Sequence, residues 1–93
     1  MLSGVITEDQ YDVSTKAYKK NNDNLGAFDK ATNVQKKDGR VEVYFENYKV
    51  FKEWFDDFTD ATVAYGFNSE GEPTKIGLIM ESVHDDLFDQ IQK

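Results

Sequence analysis

The fold is decided largely by residues 41–58, which read VEVYFENYKVFKEWFDDF. Their first part alternates apolar and polar side chains with a period of two, which predicts a β-strand that buries Val41, Val43 and Phe45. Asn47 follows, and its short side chain can accept a hydrogen bond from the first turn of a helix. The stretch therefore predicts a strand that leads directly into a helix.

The central helix is predicted to extend from about Tyr48 to Asp60. At 100° per residue, its large apolar side chains fall within one arc: Tyr48, Phe51, Trp54, Phe55 and Phe58. This is the broadest apolar stripe in the sequence, so we expect it to form the centre of the core. Core packing is also the commoner fate of a tryptophan such as Trp54, although an aromatic ring can serve an interface.

Hairpins are predicted on both sides of this unit. Before it, Asp38-Gly39 is a favoured two-residue turn, while residues 25–35 fit either an irregular strand or a short helix. After it, Val63, Tyr65 and Phe67 alternate before a polar loop at residues 69–73, and Ile76, Leu78 and Met80 alternate after it. That alternation predicts a second hairpin.

A helix is predicted near each end of the chain. Thr7 and Gln10 have the spacing of a capping box at the start of the first helix, and the polar residues 21–24 are expected to end it. Ser82 is predicted to open the last helix, with Asp85 in its first turn.

Together these elements predict a single α+β domain over residues 1–93. We expect an antiparallel sheet of three to four strands, formed by two hairpins and packed against the central aromatic-rich helix, with flanking N- and C-terminal helices. The sheet should be covered mainly on one face. The order of the strands stays open.

Composition limits the classes of function. The chain has 93 residues and no cysteine, so disulfides, zinc–thiolate clusters and a cysteine nucleophile are excluded. The first residues have neither a basic segment nor a long apolar run, and no stretch approaches the length of a membrane span. We therefore expect a soluble, unprocessed, cytoplasmic protein.

Charge is divided unevenly along the chain. Residues 1–40 carry six acids and seven bases, a net charge of +1, whereas residues 41–93 carry twelve acids and four bases, a net charge of −8; the sum is −7. The acidic half predicts a surface that attracts a basic partner and repels nucleic acid.

The acids of the central helix are the main candidates for such a surface. Glu53, Asp56, Asp57 and Asp60 share one arc and lie three or four residues apart, so they repel one another. One interpretation is an ordinary solvated face, relieved by Lys49 and Lys52. The other is a binding surface, because these acids lie toward the end of the helix, which the helix dipole disfavours.

The spacing of these acids favours the second interpretation. Residues 53–60 span roughly 10 Å of helix axis, about one carboxylate per 3 Å, close to the ~3.4 Å per phosphate of a DNA strand. Strand and border residues are expected to add charge and specificity. The predicted partner-binding set is Glu42, Tyr44, Glu46, Lys49, Glu53, Asp56, Asp57, Asp60 and Tyr65.

The expected partner is a basic, nucleic-acid-binding site on another protein, such as a nuclease. In size and charge the chain resembles small acidic inhibitors by which phages and mobile elements block restriction, repair or CRISPR nucleases. The alternative is a structural or assembly module, including a small homodimer, whose acids serve only solubility.

We predict no catalytic, cofactor-binding or metal-ligating residues. His84 lies beside Asp85 and Asp86, but adjacent helical residues point in different directions and a metal needs three or four convergent ligands. His84 is therefore expected at the surface near the start of the last helix. Residues 68–72 also lack the acidic first ligand and the twelfth-position glutamate of a calcium loop.

Overall fold

The computed structural model describes residues 1–20, with backbone only for 18–20, and residues 27–91. Within these ranges the chain forms three strands and three helices. In order they are β1 (Leu2–Thr7), α1 (Glu8–Lys20), β2 (Asn33–Lys37), β3 (Arg40–Phe45), α2 (Tyr48–Tyr65) and α3 (Lys75–Ile91). The predicted α+β class is confirmed.

The strands form one antiparallel sheet in the order β1-β3-β2. The predicted strand is its centre, and Val41, Val43 and Phe45 are fully buried, as expected. The predicted turn joins β2 to β3: Asp38 and Gly39 have φ angles of 52° and 79°. Two consecutive positive φ angles are what a tight two-residue hairpin turn requires.

The helices cover one face of the sheet. The buried residues of β3 and Ile6 of β1 share that face, because strand side chains alternate between the two faces. Glu42 and Tyr44 lie on the other face and are only partly buried. The sheet is thus covered on one side and open on the other, as predicted.

Helix α2 supplies the centre of the core. The Asn47 side chain accepts a hydrogen bond of 3.0 Å from the Val50 N–H, which confirms the predicted cap. The stripe buries Phe51, Trp54 and Phe58, and the Trp54 indole N–H donates to the Ala27 carbonyl at 3.0 Å. The helix continues five residues beyond the predicted end at residue 60, because Ala61 extends the buried stripe.

The start of α1 agrees with the predicted capping box. The Thr7 N–H donates to Gln10 Oε1 at 2.8 Å, and the Gln10 N–H donates to Thr7 Oγ1 at 3.0 Å. Strand β1, which ends at Thr7, was not predicted. Its segment is short and contains Gly4, which has low strand propensity but lets α3 approach closely: a Cβ there would overlap the Leu87 side chain.

The predicted second hairpin is wrong. Val63 and Tyr65 lie in α2, and Ile76, Leu78 and Met80 lie in α3. Over a few residues, alternation cannot be distinguished from part of a helical pattern, and only the longer spacing decides. In α3 that longer pattern of buried residues is Gly77, Met80, Val83 and Leu87.

The predicted start of the last helix is also wrong. Thr74, not Ser82, caps α3, since its Oγ1 accepts a hydrogen bond of 3.1 Å from the Gly77 N–H. Ser82 lies inside the helix and donates to the Ile79 carbonyl at 2.6 Å. Of the ambiguous segment 25–35, residues 27–30 form a turn and β2 begins at residue 33. The predicted loop at 21–24 lies outside the described residues.

Helices α2 and α3 meet through two glycines. Gly66 ends α2, and a Cβ built on Gly77 would overlap the carbonyl oxygen and Cα of Gly66. Thr74 closes the same junction, because its N–H donates to the Gly66 carbonyl at 2.8 Å. The close approach of the two helices therefore depends on the absence of a side chain at both glycines.

We expect Gly77→Ala to lower the free energy of unfolding by about 2 kcal/mol, because the methyl group has no room against backbone atoms. Alanine at an exposed helical glycine would instead raise stability by up to about 1 kcal/mol. Urea unfolding of this variant, with the exposed α3 substitution Glu81→Ala as control, measures the difference. An unchanged or increased stability of Gly77→Ala would contradict the close contact.

Candidate protein-binding surface

The four predicted acids of α2 lie on its solvent side. Glu53, Asp56, Asp57 and Asp60 are all exposed, whereas Phe51, Trp54 and Phe58 on the opposite side of the helix are buried. Because the apolar stripe fixes the rotation of α2, it also fixes this outward direction of the acids. We call these four residues the α2 acidic ridge.

Two members of the ridge have lysine partners. Lys30 Nζ lies 3.2 Å from Asp57 Oδ2, and Lys52 Nζ lies 3.7 Å from Asp56 Oδ1. The paired side chains are substantially exposed, so each pair contributes little and is screened by salt. Among the described residues no ion pair involves Glu53 or Asp60, and the expected pair between Lys49 and Glu53 is not formed. The ridge is thus half compensated.

Neither end of α2 carries the charges that its dipole favours. The first turn has no acid and the last turn has no base. Helix α3 has the same features. Because it starts at Lys75, Asp85 lies in its C-terminal half and not in the first turn as predicted, and Asp89 lies near its end. Carboxylates near a helix C-terminus cost about 0.3–1 kcal/mol each when exposed. This cost applies to Asp89 but not to the ridge: α2 ends at Tyr65, so the four acids lie in its middle, and the expectation that the dipole disfavours them is wrong.

A second row of acids lies on α3. Glu81, Asp85 and Asp89 are exposed and follow one another at a spacing of four residues, which places them along one side of the helix. This α3 acidic row was not part of the predicted set. The four-residue spacing of these acids could have indicated the row. Because the helix was expected to begin at Ser82, Glu81 fell outside it and the three acids were not recognised as one row.

The two acidic helices are antiparallel neighbours. Phe55 of α2 packs against α3, with ring centroids 3.9 Å from His84 and 5.1 Å from Phe88, while Gly66 meets Gly77 at the other end. Helices in such contact have axes about 8–10 Å apart. The ridge and the α3 row therefore belong to the same helical layer of the protein.

Asp86 faces in another direction. It accepts a hydrogen bond of 2.9 Å from Gln10 Nε2, which also donates to Ser82 Oγ at 3.0 Å. These bonds connect α3 to the start of α1. Asp86 thus helps to hold two helices together and does not extend the α3 acidic row.

The predicted strand residues are separated from the ridge. Glu42 and Tyr44 lie on the open face of the sheet, on the side away from α2. The Tyr44 hydroxyl donates to Glu42 Oε1 at 2.7 Å, and the Ser3 hydroxyl donates to Glu42 Oε2 at 3.1 Å. The sequence left open whether these residues join the helix acids in one surface, and in the structure they lie on the opposite side of the sheet.

The predicted border residues have different positions. Glu46 and Lys49 are exposed at the N-terminal end of α2, before the ridge. Tyr65 is the last residue of α2 and packs partly buried against the core. Tyr65 was expected on a strand of the second hairpin. Because this segment is helical instead, that strand no longer supports a role for Tyr65 in binding.

His84 was predicted near the start of a helix, but it lies in the middle of α3. Its ring packs against Phe55, its Nδ1 lies 3.1 Å from Asp85 Oδ1, and its side chain is 19% exposed. The histidine thus forms part of the contact between α2 and α3. Across the described residues, no group of three or more potential ligands is placed to hold a metal ion.

Asn68 organises the loop between α2 and α3. Its Oδ1 accepts hydrogen bonds from the Glu70 and Glu72 N–H groups at 2.9 and 3.0 Å. This oxygen therefore closes a turn of the loop itself.

Within residues 1–20 and 27–91, none of the helices has the length and apolar character needed to cross a membrane.

Comparison with protein-family models, with curated proteins and with solved structures found no match to this chain.

Glu42 raises the pKa of Tyr44 above its ordinary value of 10.0. The main cause is the hydrogen bond that the phenol donates to the carboxylate, followed by burial and by the negative charge of Glu42. A raised pKa favours the neutral phenol in the folded state. This contribution to stability is present below pH 10 and is lost as the pH rises through the higher pKa of the folded protein.

We expect Glu42→Gln to lower the pKa of Tyr44 toward its ordinary value, because the charged acceptor is removed. Titration of ring-labelled tyrosines by NMR measures the change for Tyr44 separately from the others. Ser3→Ala is the matched control, since it removes the other hydrogen bond of Glu42 but leaves the charge. Equal pKa values of Tyr44 in the wild type and in Glu42→Gln would refute the assigned cause.

Proposed function

We propose that this protein is a small non-enzymatic binding protein that occupies a basic, nucleic-acid-binding site on another protein. It would act as an inhibitor or nucleic-acid mimic, with a nuclease as a suitable partner. The observation that supports this most directly is the α2 acidic ridge, four exposed carboxylates on one side of a helix, two of them without an ion pair among the described residues. The α3 acidic row adds a second line of carboxylates in the same helical layer.

The shape of the surface supports a protein partner. The ridge lies on the convex outer side of a helix, which can enter a groove but does not enclose a small substrate as a concave site does. A groove that binds nucleic acid offers lysine and arginine side chains placed to contact phosphates. Carboxylates spaced about 3 Å apart along the helix axis can accept the same donors.

The charge of the whole chain supports fast association. A net charge of −7 on 93 residues gives a field that steers a basic partner toward the acidic helices and increases the association rate at low salt. The ion pairs that Lys30 and Lys52 make with the ridge are exposed, so a competing cation can replace them.

We expect the double variant Glu53→Lys and Asp60→Lys to bind its partner roughly tenfold or more weakly. Both substitutions reverse unpaired, exposed charges at the proposed contact, and tenfold corresponds to about 1.4 kcal/mol. The measurement is pull-down from a lysate at low and high salt, followed by titration of the captured protein. Glu70→Lys with Glu72→Lys is the matched control, since it changes the net charge equally in the exposed loop.

The proposed action as a nucleic-acid mimic requires one further experimental result. A DNA or RNA duplex added to the complex should release the captured partner, because the two ligands would compete for one basic site. Equal binding by the ridge variant and the loop control, or a partner that binds nucleic acid and this protein simultaneously, would rule out the proposed mode of action.

An apolar patch favours the assembly module as a second candidate. Val63, Phe67 and Leu78 are 63%, 43% and 56% exposed. Phe67 and Leu78 directly follow the two glycines that touch, and Val63 lies one helical turn before Gly66, so all three belong to one end of the α2–α3 pair. Such a patch can form the contact of a small homodimer.

Under this second function, we expect sedimentation to show a mass that rises with protein concentration and falls to that of a monomer in Leu78→Asp. A buried charge at a self-association contact has no partner and is costly. Val5→Asp is the control, because Val5 is an exposed apolar residue on the other face of the molecule. A monomer at all concentrations would exclude assembly through this patch.

A further inference from the structure

A shallow cleft lies on the open face of the sheet, next to the hairpin. Its volume is about 500 Å³, and it is lined by Val5, Gln35, Lys37, Asp38, Arg40 and Glu42. This volume is within the range of about 300–1,000 Å³ that is typical of small-molecule sites. The cleft is separate from the α2 acidic ridge, because the sheet and its buried side chains lie between them.

Two cations lie side by side at the hairpin end of this cleft. Lys37 and Arg40 are direct cross-strand partners on β2 and β3. Like charges at such positions are destabilising. Among the described residues neither takes part in an ion pair, whereas the adjacent Lys36 points to the helical side, where its Nζ lies 3.9 Å from Asp12 and 4.8 Å from the centre of the Tyr11 ring.

Glu42 lines the cleft but does not neutralise these cations. Both of its oxygens accept hydrogen bonds from hydroxyl groups, one from Ser3 and one from Tyr44. Ser3 and Tyr44 are themselves cross-strand partners and lie on the side of Glu42 away from the hairpin. The carboxylate is thereby held toward them, while Asp38, the next residue in the turn, is an acid adjacent to Lys37.

The walls of the cleft are fixed in position. The hairpin turn is held against α1, because the Glu8 N–H donates to the Gly39 carbonyl at 2.9 Å. On the other side, the Gln90 amide makes two hydrogen bonds of 2.8 Å with the backbone N–H and carbonyl of Val5. A site with such fixed walls loses little conformational entropy when a ligand binds.

We propose that this cleft binds the anionic group, a carboxylate or a phosphate, of a small organic molecule. Arg40 offers a planar pair of N–H donors, and Lys37 provides a second positive charge beside it. The side chain of Val5, which is partly exposed, supplies an apolar surface for the rest of the ligand, and Gln35 supplies an amide. The anion would also remove the repulsion between the two cations.

The test is an NMR titration of the isotope-labelled full chain, with inorganic phosphate in one arm and succinate in the other. Both arms are run at constant pH and ionic strength. We expect saturable shifts of the backbone amides of residues 35–42 with at least one probe. Saturation by phosphate alone assigns a phosphate ligand, saturation by succinate alone assigns a carboxylate, and saturation by both assigns a general anion site.

Variants connect the shifts to the two cations. Arg40→Gln and Lys37→Gln should each weaken binding roughly tenfold, the effect of one lost charge-assisted hydrogen bond. Lys36→Gln removes the same charge from the next residue, on the other face, and should leave the affinity unchanged. Shifts that never saturate with either probe, or equal weakening by Lys36→Gln, would overturn the proposal. Amide spectra outside the hairpin verify that each variant is folded.

Discussion

The rest of the structure depends on the packing of the α2 aromatic stripe against β3. The Phe45 ring lies 5.3 Å from Phe51 and 5.4 Å from Trp54, measured between ring centroids, and Trp54 in turn stacks on Phe58 at 4.9 Å. Rings in such contacts bury large apolar areas and gain a further ~0.5–1.5 kcal/mol per pair. In a chain without disulfides, this cluster holds the sheet and the helices together.

This packing also determines what the protein presents to solvent. Once the aromatic stripe is turned inward, the opposite side of α2 must face outward. The fold requires only that the residues on that side be polar enough to face water. Packing does not require that four of these residues be acids placed close enough to repel one another. The α3 acidic row repeats this feature, so the charge of both helices needs an explanation outside the fold.

The sequence was informative where one local rule acted alone, as in the alternation of β3, the Asn47 cap, the Asp38-Gly39 turn and the capping box at Thr7. It misled where two patterns overlap: the alternation around Ile76 and Leu78 belongs to a helix whose cap, Thr74, precedes it. Strand β1 depends on β3 as its partner, and this pairing between distant segments has no local signal. The α2 acidic ridge was predictable from helical spacing, but the separation of Glu42 and Tyr44 from it depends on which face of the sheet α2 covers.

Strand β3 contributes side chains to both faces of the sheet. Val41, Val43 and Phe45 point into the core that positions α2, while Arg40, Glu42 and Tyr44 alternate with them toward the open face. A macromolecule on the helices and a small anion in the cleft would therefore be bound on opposite sides of the same strand, without steric competition. Because the two sites share no side chain, the two binding events are expected to be independent.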